Sequence, residues 1–156
     1  MSVKNSVAVW SCIGVNCVPN VLKKLDGRLD TNQYKKLLSA HVFPYCSGRK
    51  FIHDYFPVHT AKAVKEFISS NGIQAFEDWP KKSGDLMPLE AVWRQLLKKV
   101  DGKFVFNEND LWHELCDSWD AMDLEGNLVD SIHTLPNRLR HVVKNDGDWV
   151  SDNDVE

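Results

Sequence analysis

Two pieces of sequence within residues 51–100 decide the fold: Phe51-Ile52-His53-Asp54-Tyr55-Phe56 at the start, and Asp85-Leu86-Met87-Pro88-Leu89-Glu90-Ala91-Val92-Trp93 near the end. The first predicts a short apolar strand within residues 50–55 that ends at Asp54, because Pro57 cannot continue inside a sheet. The second predicts an amphipathic helix that carries Glu90 in its first turn, where Pro88 is tolerated. The 35 residues between the two acids suffice for one helix and one strand. The fold can therefore bring both carboxylates to one metal site.

Outward from this stretch, alternating and helical apolar patterns predict a mixed α/β chain. Residues 6–13 and 21–25 are rich in β-favouring side chains and are joined by a short link, which predicts an antiparallel hairpin. Asp30 and Gln33 form a capping pair for the next helix, and Thr60 is expected to cap the helix after it. The predicted helices cover residues 31–43, Thr60 to the Asn71-Gly72 stop, 85–100, 107–122 and 127–144, the last interrupted or begun again at Pro136, and a further strand covers residues 73–76.

Composition places the chain among ordinary globular proteins. A hydrophobic fraction of 43% and a charged fraction of 26% argue against disorder. No apolar run approaches the roughly 18 residues that span a bilayer, so no membrane partner is expected. The five acids from Asp146 to Glu156 more than account for the formal net charge of −3, which predicts one domain over residues 1–145 and an acidic, disordered tail over residues 146–156. Four cysteines without a CxxC pair fit reduced thiols and an intracellular protein, nuclear or cytoplasmic.

Four short motifs follow one another in a fixed order along the chain. They are Val9-Trp10-Ser11-Cys12-Ile13-Gly14, His53-Asp54-Tyr55 with His59-Thr60-Ala61-Lys62, Trp79-Pro80 followed by Ser83 through Trp93, and Leu135-Pro136-Asn137-Arg138-Leu139. In order and spacing they resemble the mariner-type transposases of the Tc/mariner superfamily, whose DDE catalytic domain is RNase H-like. The resemblance covers nearly the whole chain and implies an α/β fold, an RNase H-like mixed sheet with flanking helices.

The chemistry that the resemblance implies centres on Asp54 and Glu90, which match the second and third metal-binding acids of that family. Such a site cleaves DNA and transfers strands between two Mg²⁺ or Mn²⁺ ions, and carboxylate oxygens are the ligands that hard cations prefer. The resemblance also implies supporting roles for His59, His53 and Asp85, and DNA contacts for Lys81, Lys82 and Lys62. The residues alone leave an alternative open, in which Asp54 caps a turn, Glu90 is an exposed helical acid, and His53 is a hydrogen-bonded structural histidine.

The chain also departs from the family pattern. The first metal-binding Asp of the family lies upstream of the segment that Val9-Trp10 begins, and no acid precedes Trp10 here. The resemblance therefore implies truncation before the first catalytic Asp, loss of the usual first, central strand of the sheet, and weak support for residues 1–30. With two acids in place of three, Mg²⁺ or Mn²⁺ is expected to bind weakly or not at all, DNA binding to be weak or lost, and DNA cleavage to be absent.

Three functions are consistent with this pattern. The first is a truncated transposase catalytic domain, a remnant of a DNA transposon, whose partners would be DNA or a full-length transposase. The second is a co-opted non-enzymatic module that binds a protein or chromatin partner through an exposed strand edge or the acidic tail. The third is a one-metal nuclease that uses Asp54 and Glu90. Metal titration with Asp54→Asn as control, together with salt-dependent DNA binding, separates them.

Overall fold

The structure, a computed structural model, defines residues 6–15, 20–76 and 78–151. The four strands that it describes are β1 (Val9–Cys12), β2 (Val21–Lys24), β3 (Lys50–Phe51) and β4 (Gln74–Ala75). The five α-helices that it describes are α1 (Thr31–His41), α2 (Lys62–Ser70), α3 (Pro88–Val100), α4 (Glu108–Asp120) and α5 (Leu124–Lys144), and a short 3-10 turn covers Phe43–Tyr45. None of these helices combines the length and the apolar character needed to cross a membrane.

The described strands form two separate two-stranded sheets. Strands β1 and β2 form the predicted antiparallel hairpin, with Val9 opposite Lys24 and Cys12 opposite Val21. Strands β3 and β4 pair in parallel, with Phe51 opposite Ala75. Parallel strands need a crossover connection between them, and α2 supplies it. The predicted loss of a central strand stays a prediction.

The hairpin lies between two hydrophobic cores, because its side chains alternate between its two faces. Trp10, Cys12 and Val21 contact the first core, which is built around Tyr34, Leu38, Val42, Val64 and Ile68. Val9 and Leu22 contact the second core, built around Val92, Leu96, Leu115, Trp119, Met122 and Leu124. The structure therefore differs from the expectation of weak support over residues 1–30: between residues 6 and 29 the defined part of the hairpin region packs on both faces. Residues 1–5 and 16–19 lie outside the described part of the chain.

Two element boundaries near the candidate acids differ from the sequence prediction. Strand β3 ends at Phe51, so Asp54 lies in the irregular segment 52–56 and not on a strand. Helix α2 begins at Lys62 with Ala61 as its N-cap residue, and no side chain caps it. The predicted cap, Thr60, lies one residue earlier in a turn, where its hydroxyl donates to the carbonyl oxygen of Pro57 at 3.4 Å.

Helices α3 and α5 also differ in detail from the prediction. Helix α3 begins at Pro88, because the preceding residues form turns in which the amide of Leu86 donates to Ser83 O and the amide of Met87 donates to Gly84 O. Proline at the first helical position costs no hydrogen bond. Helix α5 is continuous and contains Pro136 inside it.

Candidate functional site

The Asp54 carboxylate is held from one side and open to solvent on the other. Its Oδ1 accepts hydrogen bonds from His59 Nδ1 at 2.6 Å and from the backbone amide of Phe56 at 3.0 Å. The bond from His59 lowers the pKa of the Asp54 carboxyl below its ordinary value, and the amide of Phe56 lowers it further against the opposing effect of burial. The side chain is 61% exposed. The carboxylate is therefore ionised at neutral pH, and neither of these two bonds uses its Oδ2.

An aromatic stack holds the histidine that binds Asp54. The Tyr34 ring centroid lies 4.2 Å from that of His59, and the His53 and His59 rings are nearly parallel, at 6°, with centroids 5.4 Å apart. The Tyr34 hydroxyl is hydrogen-bonded to His53 Nδ1 at 2.9 Å. Burial raises the pKa of Tyr34 well above its ordinary value, and burial, followed by the charge of His59, lowers the pKa of His53 to about 4. Tyr34 therefore keeps its proton at neutral pH, and its hydroxyl is hydrogen-bonded to a neutral His53 ring.

Only one of the two ring nitrogens of His59 makes a hydrogen bond to another described residue. Its Nδ1 binds Asp54, while its Nε2 is buried and has no hydrogen-bond partner in the described part of the chain. A buried polar atom without a partner is uncommon in proteins, since it forfeits the free energy of a hydrogen bond to water. The stacking surfaces of Tyr34 and His53 fix this ring, so its orientation toward Asp54 is set by packing.

Glu90 is the second candidate acid, and the structure places it in the first turn of α3 as predicted. The partial positive charge at a helix N-terminus favours a carboxylate there. The backbone amide of Glu90 donates to Met87 O at 3.0 Å. The Glu90 side chain packs over Gly84, since a Cβ atom added to Gly84 would lie 3.7 Å from Glu90 Cγ.

Asp85 faces the C-terminal segment. It is 9% exposed, its Oδ2 accepts a hydrogen bond from the backbone amide of Val150 at 3.0 Å, and its carbonyl oxygen accepts one from Arg138 Nη1 at 3.1 Å. Val150 is 1% exposed. One apolar side chain and one backbone hydrogen bond therefore fasten residues 146–151, while the division into a domain over residues 1–145 and a tail over residues 146–156 stays a prediction. Residues 152–156 lie outside the described part of the chain.

The three predicted DNA-contacting lysines have different surroundings. The Lys81 ammonium group lies 5.5 Å from the ring centroid of Tyr55, so it sits beside the loop that carries Asp54. Lys82 follows in a turn and has a positive φ of 56°. Lys62 is the first residue of α2 and pairs with Glu66 on the same helix at 3.7 Å.

The structure thus brings His53, Asp54 and His59 into mutual contact, whereas Asp85 binds the C-terminal segment and Glu90 lies beside Gly84. Within residues 6–15, 20–76 and 78–151, no group of three or more His, Cys, Asp or Glu side chains is arranged to hold a metal ion. Sequence reasoning missed two contributors. The helical spacing around Tyr34 indicates only that it faces a core, and Val150 lies in the segment expected to be a tail, since no local sequence pattern predicts a contact between residues so far apart.

Comparisons with known proteins find similarity to transposases. No model of a known protein family matches the chain. The chain is 31% identical to the Tcb2 transposase of Caenorhabditis briggsae over 145 residues. This alignment covers 88% of this chain and 51% of that protein. It is 28% identical over 149 residues to the Tc1 transposase of Caenorhabditis elegans, covering 91% and 53%. The chain spans about half the length of the curated relatives that it matches.

Solved structures of a transposase have a fold similar to that of this chain. The catalytic domain of Mos1 mariner transposase superposes with a TM-score of 0.69 at 20% identity, over 93% of this chain and 82% of that one. The Mos1 strand transfer complex gives a TM-score of 0.69 at 21% identity, over 86% and 40%. A structure of the Mos1 catalytic domain with Raltegravir and Mg gives 0.68 at 19% identity, over 93% and 84%. The predicted RNase H-like α/β fold is therefore confirmed.

Proposed function

Because this chain is a homologue of the Tc1/mariner-family transposases over most of its length, we propose that it is a transposon-derived DNA-cleavage domain in which Asp54 and Glu90 bind divalent metal ions. The observation that carries the proposal is the state of Asp54. Its carboxylate is ionised and oriented by His59 and Phe56, yet it faces solvent. The amide bond from Phe56 is that of a turn-capping aspartate, and the additional bond from the half-buried His59 ring is one that a turn cap alone does not require.

The donor set fits Mg²⁺ or Mn²⁺. Both candidate ligands are carboxylates, which hard cations prefer over nitrogen or sulfur. Such ions, when bound, activate the attacking oxygen and stabilise the leaving oxygen in phosphodiester cleavage. The chain's own contribution is to keep Asp54 ionised at the end of the His59 bond and to present Glu90 at the N-terminus of α3. Two solved relatives of similar fold are Mos1 catalytic domains with Mg and with Mn.

The neighbouring residues support these two acids in different ways. His59 orients the Asp54 carboxylate, and His53 orients His59 through ring stacking. Asp85 acts at a distance from the metal: by binding the amide of Val150 it fixes the turn that leads into α3 and therefore the position of Glu90. Hydrogen-bonded partners of this kind typically change metal affinity by about 10- to 100-fold when they are removed.

The proposed DNA contacts are Lys81, Lys82 and Lys62, of which Lys81 lies beside the loop that carries Asp54. Lys81 adjoins Tyr55, the residue after Asp54, so a phosphate bound by its ammonium group would lie near the candidate metal site. Lysine contacts with phosphates fix the position of DNA and carry no sequence information. Mos1 relatives of similar fold were solved as transposon DNA complexes, including a paired-end complex with the left transposon end. Cleavage of chromosomal DNA would place the protein's action in the nucleus.

Residues 1–156 by themselves are predicted to lack DNA cleavage. The reason lies in the ligand count, since the described residues form no cluster of three or more metal-binding side chains. A second ion would then be held poorly, and the transition-state stabilisation that it supplies would be lost. The alternative of a co-opted protein- or chromatin-binding module also stays a prediction.

Calorimetric titration with Mn²⁺ tests the proposed site. We expect wild-type protein to bind Mn²⁺ weakly, and Asp54→Asn or Glu90→Gln to reduce affinity by at least about tenfold. The matched control is Asp101→Asn, an exposed acid at the opposite end of α3. Equal binding by all four proteins would refute the assignment of these two ligands.

A cleavage assay on supercoiled plasmid DNA tests the predicted inactivity. We expect no Mn²⁺-dependent nicking by the wild-type chain above the level of Asp54→Asn. Nicking that Asp54→Asn abolishes would overturn the prediction of inactivity while supporting the metal site. Nicking that survives both Asp54→Asn and Glu90→Gln would place the activity elsewhere.

A further inference from the structure

Trp149 is unusual among the tryptophans of this protein. All six lie in the described part of the chain, where Trp10, Trp79 and Trp119 are buried, while Trp93 and Trp112 are half-buried. Trp149 is 60% exposed. A large aromatic ring left in water forgoes the hydrophobic stabilisation that the other five obtain. Its exposure therefore calls for a physical explanation other than packing.

The backbone fixes the position of this ring. The next residue, Val150, is fully buried, and its amide donates to Asp85 Oδ2 at 3.0 Å. On the other side, the amide of Gly147 donates to Val142 O at 2.8 Å and the amide of Asp148 donates to Asn145 O at 3.1 Å, which ties the segment to the end of α5. Trp149 is thus held between two anchored points, so its exposed ring is preorganised.

The ring edge lies beside Glu90. The position that a Gly84 Cβ atom would occupy is 3.4 Å from Trp149 Cη2, 3.7 Å from Glu90 Cγ and 3.9 Å from Glu90 Cδ. The indole and the carboxyl group therefore approach the same point from different elements. Glycine at this position leaves room for both, whereas a long side chain would occupy the space between them.

We propose that Trp149 binds an unpaired nucleobase of DNA by stacking, next to the Glu90 carboxylate. The inference rests on the proposed function, because it takes DNA as the molecule bound at Glu90. Any base can stack on an indole face, so such contacts tolerate sequence differences. Inside a duplex both faces of a base are covered by its neighbours, so the site would select a single-stranded end over a paired strand.

Two binding measurements test the stacking site on the full chain. Fluorescence anisotropy, in EDTA so that no cleavage occurs, would compare a labelled duplex carrying a short single-stranded overhang with the blunt duplex. We expect Trp149→Ala to weaken binding of the overhang duplex by about tenfold and to leave blunt-duplex binding unchanged. Trp149→Phe, which keeps an aromatic face, should retain most of the affinity. An overhang of abasic nucleotides should bind wild-type protein as weakly as the intact overhang binds Trp149→Ala.

The matched control is Phe104→Ala. Phe104 is 91% exposed and lies in the loop after α3, at the opposite end of that helix from Glu90. We expect this variant to bind both duplexes like wild type, and thermal unfolding should show that all variants remain folded. Wild-type protein that binds neither duplex would overturn this inference and the proposed lysine contacts with DNA, while the Mn²⁺ titration tests the assignment of Asp54 and Glu90 separately. Overhang binding that is insensitive to Trp149→Ala would overturn this inference alone. Tighter binding by Trp149→Ala would also overturn it, because the indole would then be blocking access to Glu90.

Discussion

At the scale of single residues, the candidate site depends on the hydrogen bond between His59 Nδ1 and the Asp54 carboxylate, 2.6 Å long. The two residues are five positions apart in one motif, so a functional relation between them was expected from the sequence. Tyr34 was not expected, although its ring lies 4.2 Å from that of His59 and its hydroxyl binds His53. Tyr34 is on α1, and its helical spacing indicates only that it faces a core. A partner that lies on another helix is supplied by tertiary packing, which no local pattern encodes.

The lowered pKa of His53 predicts a pH-dependent stability. The folded-state pKa is about 4, against 6.5 for an ordinary histidine. Above pH 6.5 the ring is neutral in both states, and as the pH falls from 6.5 toward 4 the unfolded chain binds a proton that the folded chain does not. The free energy of unfolding should therefore fall over this window, by up to about 3 kcal/mol before a reduction for partial solvent exposure.

Urea unfolding in metal-free buffer between pH 7.5 and 4.5 would measure this loss. We expect His53→Gln, which keeps an acceptor for the Tyr34 hydroxyl, to flatten the profile. His113→Gln, a change at an exposed histidine on α4, should leave its slope unchanged. Parallel profiles for wild type and His53→Gln would contradict the prediction.

At the scale of the secondary-structure elements, one of the two predicted helix caps is confirmed and the other is wrong. The capping pair of α1 is present as predicted: Asp30 Oδ1 accepts from the amides of Asn32 and Gln33 at 2.8 Å, and Gln33 Oε1 accepts from the amide of Asp30 at 3.0 Å. The predicted cap at Thr60 is wrong, because the turn before α2 places Ala61 at the N-cap position. Strand lengths were overestimated as well. Strands β3 and β4 pair over only two residues each. A strand ends where its partner ends, and the length of the partner cannot be predicted from the local sequence.

The two candidate caps should respond differently to alanine. Asp30→Ala removes an acceptor that serves two backbone amides, so we expect the free energy of unfolding to fall by about 1 kcal/mol. Thr60→Ala removes a hydroxyl that binds the Pro57 carbonyl at 3.4 Å, and should change the free energy by less than about 0.5 kcal/mol. Chemical denaturation of both variants measures the difference. Equal losses would mean that the Thr60 hydroxyl does cap α2 in solution.

The two helical prolines offer a second comparison. Pro136 lies inside α5, is exposed, and cannot donate to the carbonyl of Ile132, so Pro136→Ala should raise the free energy of unfolding by about 1–3 kcal/mol. Pro88 is at the first position of α3, where its missing amide costs nothing, so Pro88→Ala should be neutral or lower the free energy by up to about 1 kcal/mol through the unfolded chain. Thermal and urea unfolding would show the opposite signs. A loss of stability in Pro136→Ala would indicate that α5 needs its proline to pack.

At the scale of the whole molecule, the hairpin of β1 and β2 connects two cores that share no strand ladder in the described residues. The β-favouring side chains of residues 6–13 and 21–25 predict the hairpin itself. Burial on the second face was not predicted, since it depends on α4, a helix that lies some 85 residues further along the chain. A salt bridge of 2.8 Å between Lys24 on β2 and Glu108 on α4 marks that contact.

A hairpin packed on both faces should make the two cores unfold together. Val64→Ala in the first core and Val92→Ala in the second remove side chains that are fully buried, and each should cost about 2 kcal/mol. In both variants the transitions followed by tryptophan fluorescence and by far-ultraviolet circular dichroism should coincide. Two separated transitions in either variant would show that the hairpin couples the cores weakly.

The hydrogen bond between Asp85 and Val150 has a practical consequence for anyone preparing shortened versions of this protein. The end of α5 at Lys144 looks like a natural place to trim, yet a cut there would remove the amide that binds the buried Asp85 carboxylate, together with the buried side chain of Val150. Samples for crystallisation or spectroscopy should therefore extend at least through Ser151, and a tag fused directly at residue 145 would perturb the approach to Glu90 from a distance.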